Sequence, residues 1–128
     1  MKTKYAFALA MFGSFALGGI AVQTLHAQAK PPAYVVAEVV ISNQEAYAKE
    51  FLLPVRKTIA DAGGKFLAAG GKTVSMEGAP PAPRVVIVQW DSLDQAQKWF
   101  NSPAAQDSFA IGRKFATFRN FAVEGVTP

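Results

Sequence analysis

Two lone polar residues inside otherwise apolar runs are the groups with which this chain could do chemistry. Glu38 interrupts Tyr34 to Ile41, in register with Tyr34 and Val36, and Gln89 stands near the end of Arg84 to Trp90, in register with Val85 and Ile87. A polar group left unpaired in such surroundings costs about 1–3 kcal/mol, so each needs a partner. A neighbouring arginine, Arg84, Arg113 or Arg119, would make Glu38 half of a structural ion pair. Alternatively, Glu38 and an arginine hold a small polar or carboxylate-bearing ligand, with Trp90, Tyr47 and phenylalanines as apolar walls. The candidate ligand-binding set is Glu38, Arg84, Gln89, Trp90, Tyr47 and Arg113. Acid–base catalysis by Glu38 would need burial to raise its pKa. No residue is assigned a catalytic role.

Most other chemistry is excluded. The chain has no cysteine, and its single histidine, His26, lies in what reads as a removable export signal. Thiolate nucleophiles, histidine bases, Ser-His-Asp relays and Cys/His zinc sites all need residues that the processed product would lack. Asp61, Asp91, Asp94 and Asp107 fall at helix ends and caps and make no convergent cluster for a hard cation. Neither a metal nor a cofactor is expected.

The signal reads from its own pattern. Lys2 and Lys4 give a positive start, Tyr5 to Val22 is free of charge, and Ala27-Gln28-Ala29 offers small residues at −3 and −1. Cleavage before Lys30 is the first expectation and cleavage after Ala27 the second; either removes His26. The product would be periplasmic or secreted and free of the membrane. The alternative is an uncleaved inner-membrane anchor, since an apolar run of this length approaches the ~20 residues that span a bilayer.

Removing 29 of 128 residues leaves 99, enough for one domain. Lys+Arg falls from 13 to 11 against 9 acidic residues, so the formal charge drops from +4 to +2. The remaining basic residues are scattered, which argues against a nucleic-acid partner. Without disulfides, burial must carry the stability, and pairing with a second copy would add to it.

These side chains must be positioned by a small set of elements. Residues 30–33 form an extended lead-in, and Tyr34 to Ile41 is a buried β-branched strand. Ser42 with Glu45 makes a capping box, and Asn43 is an alternative cap. A helix follows, with Tyr47, Phe51, Leu52, Val55, Ile59 and Ala62 on one face; Pro54 should kink or restart it. Gly63-Gly64 ends the helix. A second strand is predicted from Lys65 to about Met76, with a bulge at Gly70-Gly71, and a third from Arg84 to Trp90. Ser92 and Gln95 cap a second helix. Ser102-Pro103 starts a further stretch through about Phe115, and Thr117 to Glu124 is the last strand.

Strand, helix, strand, strand, helix, strand is the split βαβ order of an α+β, ferredoxin-like βαββαβ fold. It gives a four-stranded antiparallel sheet with helices on one face. Both parities of the first and third strands are mostly apolar, so the pattern leaves open which faces the helices. It also makes the open face apolar, which predicts a homodimer.

A specific resemblance rests on these residues. Tyr34 opening the first strand, Ser42-Asn43 before Ala46-Tyr47, the run Gly63 to Gly71, Arg84 opening Val-Val-Ile-Val, and Asn101-Ser102-Pro103 resemble the bacterial domain-of-unknown-function family numbered thirteen-thirty, of the dimeric α+β barrel superfamily. The likeness covers 34–125, with 126–128 as a tail. It implies a ferredoxin-like protomer packed sheet to sheet on a second copy, with a pocket between sheet and helices or in the barrel. It implies no established activity. The superfamily includes cofactor-free monooxygenases and lactone isomerases, which supply the alternative to simple binding. Gln89 stands where family members commonly carry Glu, and Asn43 where they commonly carry Asp; the first substitution removes a carboxylate acid/base.

Overall fold

The computed structural model describes residues 30–127. The expected signal at 1–29 lies outside the described residues, as does Pro128. Strand β1 (Ala33–Ile41) leads into the helical stretch α1, made of Gln44–Ala46, a π-helical Tyr47–Leu52 and Leu53–Asp61. Then come β2 (Lys65–Ala69), β3 (Arg84–Trp90), α2 (Leu93–Asn101), α3 (Pro103–Gly112) and β4 (Ala116–Glu124). The strands form one antiparallel sheet in the order β2-β3-β1-β4, and β1 pairs with both β3 and β4. This is the ferredoxin-like arrangement the element order predicts.

Local chemistry explains most boundaries. Asn43 caps α1, its Oδ1 accepting from the Ala46 amide at 3.1 Å. Ser42 is no cap: its hydroxyl donates to the Phe115 carbonyl at 3.0 Å and ties α1 to the end of α3. Pro54 marks a restart of the helix, one of the two expected outcomes. Tyr47–Leu52 forms a π turn, and Pro54 is the second residue of the next α segment, Leu53–Asp61, where a missing amide hydrogen costs little. At the other end, the Gly64 amide bonds to the Ile59 carbonyl (2.9 Å) and the Gly63 amide to Ala60 (3.1 Å), with Gly63 at φ 96°. That is a Schellman stop.

Two expected elements are shorter than their patterns. β2 ends at Ala69 rather than near Met76, and its irregularity lies between Phe66 and Ala68 instead of at the glycines. Ala69 pairs with Val86, and β3 begins only two residues earlier, at Arg84, so a longer β2 would have no partner. Gly70, at φ 78°, turns the chain away after its amide bonds to the Val85 carbonyl at 2.9 Å. Likewise α3 ends at Gly112 rather than Phe115, because the Phe115 carbonyl is used by the amides of Ser42 and Asn43.

The helices cover one face of the sheet. Val35 and Val39 of β1, Val88 and Trp90 of β3 and Ala116 of β4 meet Phe51, Val55, Ile59, Ala96, Trp99 and Phe109 there. Rings dominate: Phe51 lies 5.4 Å from Phe109, Phe109 5.2 Å from Phe118, and Trp90 stacks on Trp99 at 5.1 Å. The other face carries Tyr34, Val36, Glu38 and Val40 of β1 beside Val85, Ile87 and Gln89 of β3 and Arg119, Phe121 and Val123 of β4.

Candidate functional site

Because residues paired directly across an antiparallel sheet share a face, the register sorts the expected site residues into two groups. Glu38 lies opposite Val85 and Arg119, and Gln89 opposite Tyr34, all on the face away from the helices. Arg84 lies opposite Val39 and Trp90 opposite Ala33, on the helix side. The sheet itself therefore separates Glu38 and Gln89 from Arg84, Trp90 and Tyr47. One pocket built from all of them does not form.

On the open face Glu38 is already partnered. Its Oε2 accepts from Arg119 Nη1 at 2.6 Å, and its Oε1 receives the Ala82 amide at 3.4 Å. The structural ion pair expected for Glu38 is the one present.

On the helix side a cavity of about 50 Å³ separates β-sheet from α1, lined by Val35, Val39, Phe51, Phe109, Phe118 and other apolar side chains. Four residues bring polar groups to it: Tyr47, Arg56, Arg84 and Asn120. The π turn places Tyr47 and Phe51 on this wall, the kind of helix irregularity that often accompanies function. Burial pushes the Tyr47 hydroxyl above the usual phenol range, and the charge and hydrogen bonding of Arg84, with the charge of Arg56, offset part of that rise. The Arg84 guanidinium carbon stands 5.8 Å from the Tyr47 ring centre. Behind it Gly70 is packed so closely that a Cβ there would collide with Nη1.

Half-buried Arg84 lacks what a cation in such a place ordinarily has. Among the described residues no carboxylate forms a salt bridge with it, and its Nε is buried without a hydrogen-bond partner. Asn120 Oδ1, at the far side of the same cavity, is buried and unpartnered too. The arrangement is a positive, donor-rich wall facing an apolar space, suited to an anion on a hydrocarbon body. It contains no carboxylate base. Among the described residues no group of His, Cys, Asp or Glu could hold a metal ion.

The remaining expected residues stand elsewhere. Trp90 is a core residue, stacked on Trp99 and outside the cavity wall, and Trp99 takes the place expected of it. Arg113 is exposed at the end of α3, its guanidinium carbon 5.7 Å from the Phe109 ring centre. Arg56 and Asn120 are the cavity residues sequence reasoning passed over. For Asn120 a signal was present: it is a lone amide between Phe118 and Ala122 in one parity of β4, the same pattern that drew attention to Glu38 and Gln89.

Known structures share this fold at low identity. RPA0582, a protein of unknown function from Rhodopseudomonas palustris, aligns with a TM-score of 0.60 at 17% identity over 77% of this chain and 85% of its own. SnoaB, a cofactor-independent oxygenase from Streptomyces nogalater, aligns at 0.55 and 14% identity over 77% of this chain and 96% of its own. A dimeric protein of unknown function and ferredoxin-like fold from Bacteroides fragilis aligns at 0.51 and 9% identity over 73% and 95%. No curated protein matches. The model of one family covers residues 32–126, and the chain belongs to it: Domain of unknown function (DUF1330).

Proposed function

We propose that this protein binds a small carboxylate-bearing molecule in the cavity between sheet and helices, with Arg84 as the anion anchor and Tyr47 and Asn120 as further polar contacts. The observation that carries the proposal is the buried Arg84 Nε, which has no partner while its side chain has no carboxylate counter-ion among the described residues. A cation kept in that state costs stability unless something else meets it. Relative to the sequence reading, the ligand class is retained and the site moves wholly to the helix side, without Glu38, Gln89, Trp90 or Arg113.

The binding unit is a homodimer formed through the open face. Val36, Val85, Ile87 and Val123 make that face apolar, Phe121 and Val123 are 43% and 51% exposed, and the Bacteroides fragilis neighbour of the same fold is dimeric. The pattern of residues 1–29 supports export to the periplasm. Native mass spectrometry on protein taken from that compartment tests the ligand directly. The wild type should carry a small-molecule adduct that is missing from Arg84→Gln; indistinguishable spectra from the two proteins would refute the site.

The SnoaB-like fold favours a second reading, a cofactor-free monooxygenase or isomerase. With no carboxylate in the cavity wall, such a reaction would depend on a substrate acidic enough to ionise itself, its anion held by Arg84. Turnover that survives Arg84→Gln would count against it.

A further inference from the structure

The connection between β2 and β3, residues 70–83, is longer than the about 12 residues beyond which a loop without secondary structure is uncommon. Every residue from Gly70 to Pro81 is exposed, and among the described residues 71–81 make no hydrogen bond from backbone to backbone. The first half of the connection nevertheless has the pattern of a strand. Thr73 and Val74 are β-branched, and in an extended chain Lys72, Val74 and Met76 share one side while Thr73 and Ser75 share the other. Val74 is 74% and Met76 92% exposed, so nothing in the protomer covers that apolar pair. The second half returns stiffly: Gly78 turns at φ 81°, and Pro80, Pro81 and Pro83 lead into β3.

The return point fixes which side of the sheet this strap serves. The Ala82 amide donates to Glu38 Oε1 at 3.4 Å, and Glu38 stands on the face away from the helices, opposite Val85 and Arg119. The strap therefore rejoins the sheet over its open face, and a cover for Val36, Val85 and Ile87 meets the strap as well. A second copy brings what the strap lacks. Its β4 is an edge strand paired with β1 alone, so one side of the β4 backbone is free. On the open face β4 exposes Phe121 and Val123, two residues apart as Val74 and Met76 are. The other edge, β2, is only Lys65–Ala69, is irregular between Phe66 and Ala68, and carries the strap itself. In a two-fold dimer the contact is made twice, each strap on the other copy's β4.

We infer that residues 72–76 cross to a second copy and add a short strand to its β4 edge, with Val74 and Met76 against Phe121 and Val123 of that copy. Backbone pairing satisfies the strap, and the apolar pair is buried beside the face that the dimer closes. The inference rests on the homodimer proposed through the open face and adds the segment that clasps it. It also gives the strand-like run Thr73 to Met76 a partner that its own sheet does not supply.

Hydrogen exchange read by mass spectrometry, on wild-type protein at a concentration where light scattering shows a dimer, tests the pairing. The amides of 73–76 should exchange about ten-fold or more slower than those of an unstructured chain. The chain has no cysteine, so single-cysteine variants test the placement. Met76→Cys mixed with Phe121→Cys and oxidised should give a covalent dimer holding one copy of each. Met76→Cys mixed with Leu53→Cys, exposed on α1, should not. Exchange of 73–76 at the unstructured rate in a dimeric wild type leaves the dimer standing and overturns the strap. A cross-linked yield with Phe121→Cys no higher than that with Leu53→Cys overturns the inference too. A wild type that is monomeric at micromolar concentration overturns both the strap and the dimer.

Discussion

Replacing Arg84 by methionine should cost the empty protein little or no stability while abolishing its anion binding. Arg84 Nε is buried without a partner, and no carboxylate among the described residues pairs with its charge. Leaving one buried donor unsatisfied costs about 1–3 kcal/mol, and exchanging a buried polar group for an apolar one of similar volume is often neutral or stabilising. Against that gain stand the loss of the guanidinium over the Tyr47 ring, whose carbon is 5.8 Å from the ring centre and which is worth about 0.5–1 kcal/mol, and the loss of the Arg84–Tyr47 hydrogen bond, worth about 0.5–1.5 kcal/mol. The net lies within about 1 kcal/mol of zero, or within about 4–8 °C in Tm for a domain of this size. The assay is thermal unfolding by circular dichroism of both proteins, each refolded from denaturant to strip any bound molecule. A Tm that falls by more than about 8 °C would refute the idea that Arg84 is held in the fold at a cost. An added ligand should then raise the wild-type Tm and leave that of Arg84→Met where it is.

Other outcomes follow from the same packing. The Tyr47 pKa is raised by burial, so its neutral form contributes stability that is intact below the unfolded value of about 10 and is lost as pH climbs through the folded value; Tyr47→Phe should flatten the alkaline limb of a stability–pH curve. Gly64→Ala should cost about 1–3 kcal/mol, because the new Cβ would lie 2.7 Å from Ile59 Cγ2 and 2.8 Å from Trp90 Cζ2. Gly71→Ala meets nothing within 4 Å and should be neutral or stabilising by up to about 1 kcal/mol in urea titrations. Asn43→Ala should lose about 1 kcal/mol as the cap of α1 is removed. Ile87→Lys, in the middle of the open face, should turn the expected dimer into a monomer in light scattering; a monomeric wild type at micromolar concentration would defeat that expectation.

Much of the fold was legible because local chemistry and tertiary packing agree. Arg84 to Trp90 is a strand by its run of valine and isoleucine and is a strand in the structure. Ser92 and Ser102 cap the helices that their spacing announces, accepting from the Gln95 and Ala105 amides at 3.1 and 3.2 Å. The failures have a common cause in long-range competition. Thr73 to Met76 has strand-like residues and no strand left to pair with, and Ser42 loses its capping role to a carbonyl on another element. Strand faces were illegible for a different reason: Val39 and Val40, or Val85 and Val86, give both parities the same hydropathy. The candidate site inherited that ambiguity, so Glu38 and Gln89 were grouped with residues on the opposite side of the sheet.

Orientation also changes what the absence of histidine and cysteine means. On the open face Glu38, the one carboxylate that the described strands place there, is committed to Arg119 and the Ala82 amide, so it offers no spare base. On the helix side the cavity has two unpartnered polar atoms, Arg84 Nε and Asn120 Oδ1, and neither group accepts a proton at ordinary pH. Tyr47 is held towards its neutral form by burial. A wall of this composition can hold an anion and orient a hydroxyl, but it has no side chain ready to remove a proton. If a reaction does occur in this cavity, its acidity must come from the substrate. Arg84→Gln separates the two cases. A pure binding site loses affinity and has no rate to lose, whereas a site that stabilises a substrate anion loses rate in step with the rise in substrate pKa that the missing cation causes.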